Sequence, residues 1–380
     1  MRRRMGVWLG LGVLAVFAGA GGAWCASLPP APRIAQPAAI PAEETAATLA
    51  ALKPPKRARP LVAIVGINDR TEVTDYLMPY GVLRRADVAD VVALSTEPGP
   101  VNLYPALRVE ADATIAEFEA QHPDGADYLI VPAMMRDDDP KVLAFIRSQA
   151  AKGATIVGVC VGATVVAEAG LLDGRRATTH WWSLRPMLKE RPAIRYAPDR
   201  RYVVDRGVAT TTGITASMPM TLTLIEAIAG RPKAEAVARE LGVTAWDARH
   251  DSGAFRFNRP FALTVVGNRA AFWRQETLGM EIDPGVDEVA LALAADSWSR
   301  TYRSKAVTLA DGPVTSRSGL RILPDRASAG WDGERLPPAL WNRPPSQALD
   351  ATLEAIADRY GPRTANVVAM QLEYPKRWAD

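Results

Sequence analysis

The chain has 380 residues, enough to bury a large core in one or two domains. A net charge of only +3, with no long basic tract after the N-terminus, gives no electrostatic case for nucleic acid as a partner. Two cysteines cannot form a disulfide framework, and His122, His180 and His250 lack metal-ligand spacing, so neither a metal nor a cofactor is expected.

Met1-Arg2-Arg3-Arg4 is a basic start, and Met5 to Trp24 is apolar and uncharged. This is either a cleaved signal peptide or a signal-anchor helix, since about twenty apolar residues can span a bilayer. With the arginines kept in the cytoplasm, the remainder is exported. The expectation is a cell-envelope protein, anchored in the inner membrane facing the periplasm or released into it. Residues 1–26 form this segment and 27–60 a Pro/Ala-rich linker, a tether with little folded structure. Its basic end, Lys53 to Arg59, reads as solvated.

Leu61-Val62-Ala63-Ile64-Val65-Gly66 is a continuous apolar strand of the kind buried in a parallel sheet. Thr74 to Arg85 reads as a helix, Asp90 to Ser95 as a strand, and Asp112 to Gln121 as a helix or turn. Asp127-Tyr128-Leu129-Ile130-Val131-Pro132 is another buried strand. Asp139 to Lys152 carries Val142, Leu143, Ile146 and Ala150 at helical spacing. This alternation predicts an α/β fold, with sites at the carboxyl ends of the strands.

Gly153 to Val157 is a short strand, and Ala163 to Gly170 reads as a helix. Between them, Gly158-Val159-Cys160-Val161-Gly162 makes a tight strand-to-helix turn, the logic of a nucleophile elbow with cysteine in place of serine. The helix end would favour a thiolate there. Read from these residues alone, Cys160 is either such a thiolate or a small buried hydrophobe. His180 beside Trp181 and Trp182 reads, by itself, as a packed aromatic cluster. Tyr202 to Thr211 is a hairpin turning at Asp205-Arg206-Gly207, followed by helices at Met220 to Gly230 and Lys233 to Leu241.

The remainder, residues 245–380, echoes the first part. Glu226-Ala227-Ile228-Ala229 recurs as Glu354-Ala355-Ile356-Ala357. Val237, Ala238 and Leu241 recur as Val368, Ala369 and Leu372. Thr71-Glu72-Val73 has an echo in Val286-Asp287-Glu288-Val289. They make this C-terminal α/β extension either a degenerate repeat of the first domain, without the cysteine elbow, or a chance likeness between short Ala-rich helices.

Residues 61–244 resemble the DJ-1/PfpI (ThiJ) superfamily, the class I glutamine-amidotransferase-like fold. The carrying stretches are Asp127 to Pro132, Val159-Cys160-Val161-Gly162-Ala163, and Ala167 through Gly174 to Thr178-Thr179-His180-Trp181. Thr211-Thr212-Gly213-Ile214-Thr215-Ala216 and Ala236-Val237-Ala238-Arg239 complete them. The closest branch is the sensor type fused to AraC regulators, without its helix-turn-helix module. The resemblance implies a flavodoxin-like parallel sheet with helices on both faces. It implies a reactive Cys160, with His180 nearby and Asp75 as the acidic residue of the first helix. The pocket would be completed by Ala133, Met134, Val161 and Trp181. The chain departs from the family where Pro132-Ala133-Met134 replaces Pro-Gly-Gly, which puts two side chains at the oxyanion site and makes positive φ costly.

Two functional classes follow. One is an exported enzyme using thiolate chemistry on a small electrophile such as an aldehyde, isocyanide or amide, as a hydrolase, hydratase or lyase. The other is a non-catalytic ligand-binding or redox-sensing module. The expected partners are a small molecule and the membrane through the N-terminal segment, and the family resemblance leaves a homodimer open.

Overall fold

The computed structural model describes residues 21–379. Most of the apolar N-terminal stretch, residues 5–20, lies outside that range, and residues 21–27 are helical. No helix among the described residues is long and apolar enough to cross a membrane.

The 27–60 stretch is not the loose tether expected. Its second half folds as helix α1 (Ala42–Ala51), and Leu52 is fully buried, with its carbonyl accepting from Tyr128 Oη at 2.7 Å. The basic end is bound rather than solvated. Arg57 pairs with the buried Asp127 at 2.7 Å, and Arg59 reaches Asp87 and Asp90. Asp127 also accepts from the Leu61 amide at 2.8 Å, so this clamp fixes the start of the sheet.

After the clamp come β1 (Leu61–Gly66), β2 (Asp69–Glu72), α2 (Val73–Ala86), β3 (Asp90–Ser95), β4 (Pro100–Tyr104), β5 (Arg108–Glu110), β6 (Ala113–Thr114) and α3 (Ile115–Gln121). Next are β7 (Tyr128–Val131), α4 (Pro140–Ala151), β8 (Thr155–Gly158), α5 (Gly162–Glu168), β9 (Arg176–Ala177), α6 (Trp181–Glu190) and β10 (Arg195–Tyr196). The hairpin β11 (Tyr202–Asp205) and β12 (Val208–Thr211) leads to α7 (Ser217–Ala229) and α8 (Arg231–Leu241). The main sheet has the order β11-β12-β8-β7-β1-β3-β6 and is parallel except for the hairpin. This is the flavodoxin-like architecture, with a core on each face. Along β1, Val62 and Ile64 enter one core while Leu61, Ala63 and Val65 enter the other, as the period of two in a strand requires. The strands and helices expected from the sequence between 61 and 241 all form, with ends shifted by a few residues.

The C-terminal region is built from α9 (Arg259–Ala270), β13 (Glu276–Glu281), α10 (Glu288–Ser299), β14 (Ser304–Leu309), β15 (Val314–Thr315), β16 (Arg321–Ile322), α11 (Pro345–Tyr360) and α12 (Pro362–Leu372). It is woven into the first part. Strand β16 pairs antiparallel with β5 in a five-stranded sheet ordered β15-β16-β5-β4-β2. Helix α10 lies against α2, where a Cβ added to Gly81 would overlap Glu288 and Val289.

Candidate functional site around Cys160

Strand β8 ends at Gly158 and α5 begins at Gly162, so the chain must reverse within three residues. Cys160 takes the strain with φ +56°, a left-handed conformation that non-glycine residues adopt at a cost. Gly162 is required at the turn because an added Cβ would overlap the Val131 carbonyl and Pro132. Hydroxyls hold the strained residue. The Cys160 amide donates to Thr211 Oγ1 at 2.9 Å, and Thr179 Oγ1 donates to the Cys160 carbonyl at 2.9 Å.

The elbow opens into a cavity of about 620 Å³. Cys160, His180, Ala133, Met134, Val161 and Trp181 all line it. Asp75 does not. It is fully buried in α2 behind the cavity wall, with Oδ2 accepting from the Ala133 amide at 3.1 Å and Oδ1 unpartnered. Among the described residues no hydrogen bond joins Asp75 to the thiol. Burial and the neighbouring Glu72 charge raise the Asp75 pKa well above its ordinary value.

The thiolate favoured by the helix end is a correction. Burial pushes the Cys160 thiol well above its ordinary value, and the charges of Asp75, Glu72 and Glu373 add to this. The Val161 amide donates to the sulfur and opposes the rise, but α5 is a seven-residue helix and its end does not outweigh desolvation. Cys160 rests as a thiol. Both cysteines are free, and Cys25 is the more exposed.

His180 lies at the cavity wall with both ring nitrogens committed. Nδ1 accepts from the Trp182 amide at 3.2 Å, which leaves the proton on Nε2, 3.0 Å from the Gln371 carbonyl it donates to. Burial lowers its pKa to about 4, so the ring is neutral. It caps α6 and fixes Trp181 and Trp182. The Ala133-Met134 segment also avoids its expected cost, since neither residue has positive φ. The Ala133 amide is engaged by Asp75, and the next amide beyond the pair, that of Met135, donates to the Arg70 carbonyl.

The sequence reading missed the acid–base frame behind the site. Glu72 caps α2, accepting from the Asp75 amide at 2.6 Å and the Thr74 hydroxyl at 2.8 Å. Arg300 spans Glu72 at 2.9 Å and Asp296 at 2.7 Å. Burial raises Asp296 to about 7, against the pull of Arg300. Glu373 accepts from the Trp181 amide at 2.7 Å, and burial raises it to about 7. The cavity roof was missed as well: Phe257, Phe261, Ala262 and Val265 cover it, while Arg300, Tyr302 and Gln371 close its side. Only the Glu72 cap left a local signal, three residues before Asp75. The others come from residues far along the chain, with no motif linking them to Cys160.

A parallel α/β sheet with a strained cysteine at a strand-to-helix elbow, opening into a cavity at the strand ends, defines a class of cysteine-elbow α/β proteins. Residues 62–227 match the DJ-1/PfpI family model, and this part of the chain is a DJ-1/PfpI family domain. The isonitrile hydratase of Pseudomonas putida is 35% identical over 111 residues, covering 28% of this chain and 46% of that protein. The HTH-type transcriptional regulator CdhR of Pseudomonas aeruginosa is 35% identical over 99 residues, covering 25% of this chain and 28% of the regulator. The chain thus spans less than half the length of these relatives. Among solved structures, Drosophila melanogaster DJ-1beta covers 49% of this chain and all of its own, with TM-score 0.45 and 22% identity. An AraC family transcriptional regulator from Pseudomonas putida covers 48% of this chain and 98% of its own, with TM-score 0.43 and 21% identity.

Proposed function

We propose that the protein binds a small, largely apolar electrophile in the cavity over Cys160 and captures it as a reversible thiol adduct. It does so at the cell envelope, held there through Met5 to Trp24. The observation that carries the reading is the strained Cys160 at the wall of a cavity lined mainly by aromatic and aliphatic side chains. With an aldehyde, the sulfur bonds to the carbonyl carbon and the C=O π bond breaks. The thiol proton passes to the oxygen, giving a hemithioacetal with no further reactant. Isonitriles belong in the substrate panel because a relative is an isonitrile hydratase.

Amide hydrolysis is less well served, since the Ala133 amide that could stabilise an oxyanion already donates to Asp75. The committed nitrogens of His180 favour a non-catalytic ligand-binding form of the same site, because its ring keeps no free nitrogen to act as base toward the thiol. The raised thiol disfavours redox sensing.

The test is intact-mass spectrometry of the full chain carrying Cys25→Ser, exposed to aldehydes, isocyanides and primary amides, with product formation followed by NMR. One adduct per chain, lost in Cys160→Ala, is expected. Product formation identifies an enzyme, and an adduct without product identifies a binding module. No adduct and no product across the panel overturns the reading.

A further inference from the structure

Beyond the cavity that it helps to roof, the α9 segment carries an apolar and cationic outer surface. Helix α9 buries Phe261, Ala262 and Asn268 but leaves Leu263 and Val266 51% and 57% exposed. Phe272 and Trp273 follow at 73% and 70% exposure, with their rings 5.1 Å apart. Residues 255–275 hold four arginines (Arg256, Arg259, Arg269 and Arg274) and no acidic residue. Among the described residues none of the four has a carboxylate partner. Arg269 lies over the Tyr302 ring, and Arg259 is spent on the carbonyls of Cys25, Ala26 and Leu28.

That last contact shows where the N-terminal stretch joins. Trp24, 49% exposed, lies 6.1 Å from Phe257 at the foot of α9. The apolar, uncharged residues 5–20 therefore connect to the body beside this patch. We infer that the α9 face, from Leu263 to Trp273, seats on an anionic lipid bilayer. Its aromatic and aliphatic side chains enter the interface, and its unpaired arginines meet lipid phosphates. Val266, Trp24 and Trp182 also line the mouth of the Cys160 cavity, so that mouth opens toward the same bilayer.

The test uses the full chain in vesicles of phosphatidylcholine alone, or of equal parts phosphatidylcholine and phosphatidylglycerol, each doped with a diazirine-bearing lipid. Labelled peptides are mapped by mass spectrometry. Labelling within 261–274 is expected, stronger in the anionic vesicles. It should fall roughly fivefold for each of Arg256→Gln and Arg274→Gln, and be lost in Phe272→Ser/Trp273→Ser while labelling of residues 1–20 persists. Labelling confined to residues 1–24, or α9 protected by a second copy or by residues 1–20, overturns the inference.

An independent observation concerns residues 245–380. Strands β1 and β3 pair in parallel over six residues, and so do β13 and β14. The helices between them are capped by Glu72 and Asp287. In α7–α8 the helices are separated by Gly230 (φ 84°, ψ 164°) and end at a left-handed Gly242. In α11–α12 they are separated by Gly361 (φ 88°, ψ 159°) and end at a left-handed Glu373. These pairs keep the same spacing as Val237/Val368 and Leu241/Leu372, whereas the Glu226–Ala229 echo falls almost one helical turn out of that register. The equivalent helices α2 and α10 pack on each other, and Arg85 reaches Asp287 at 2.5 Å. Packing of like on like is what a two-fold interface produces. We infer that residues 245–380 are a reduced copy of the first domain standing in for a partner subunit. Light scattering of the full chain in detergent should give one polypeptide of 40.9 kDa per particle; a two-chain particle overturns this.

Discussion

At the scale of single residues, chemistry here is governed by burial more than by motif. Cys160 occupies the elbow as its sequence requires, yet desolvation and nearby carboxyls hold it as a thiol. Iodoacetamide should therefore modify Cys25 at least about tenfold faster than Cys160 at pH 7, with Cys160 reactivity rising only above the ordinary thiol range. Peptide mapping over a pH series checks this. Glu373 makes a second case. Its folded pKa of about 7 lies above the ordinary glutamate value of 4.5, so its contribution to stability is full below pH 4.5 and is lost as pH rises through 7. Relative to Glu373→Gln, the parent should lose about 3 kcal/mol across that window in urea titrations. His180 and His250 act in the opposite sense. With folded values of about 4 against 6.5, their contribution is full above pH 6.5 and is lost as pH falls through 4. The Gln variant should keep that acid-side decline.

At the scale of elements, α2 and α5 decide the site. Helix α2 is buried along nearly its whole length and is fixed at its start by Glu72, which Arg300 holds from α10's end. Arg300→Met leaves Glu72 and Asp296 buried without their cation and should cost about 3–5 kcal/mol. The double variant Arg300→Met/Asp296→Leu should recover part of this, as equilibrium denaturation would show. Helix α5 depends on Gly162 at its close approach to β7. Gly162→Ala should destabilise by about 1–3 kcal/mol and lower adduct formation at Cys160 in parallel, because the elbow must open to admit the methyl group.

At the scale of the whole molecule, the C-terminal region is part of the site. It roofs the cavity with α9, supplies Arg300, and places the Gln371 carbonyl and Glu373 against α6. Proteolytic or hydrogen-exchange opening of α12 should therefore raise Cys160 alkylation in the full chain, measured together in one time course. The sequence alone determined the α/β order from 61 to 241. Continuous apolar runs, helical spacing and glycine stops are local signals, and their periods survive in the folded chain. The elbow at Cys160 is a local signal too, whereas the cavity positions Ala133, Met134, Val161, His180 and Trp181 came from the family resemblance and not from any local pattern. Protonation states and partners were left to tertiary structure. Whether Cys160 is thiol or thiolate, whether His180 has a free nitrogen, and what stands behind Asp75 depend on desolvation and on groups more than a hundred residues away. No local pattern encodes those distances, because they exist only once α10 and α12 have packed against the first sheet.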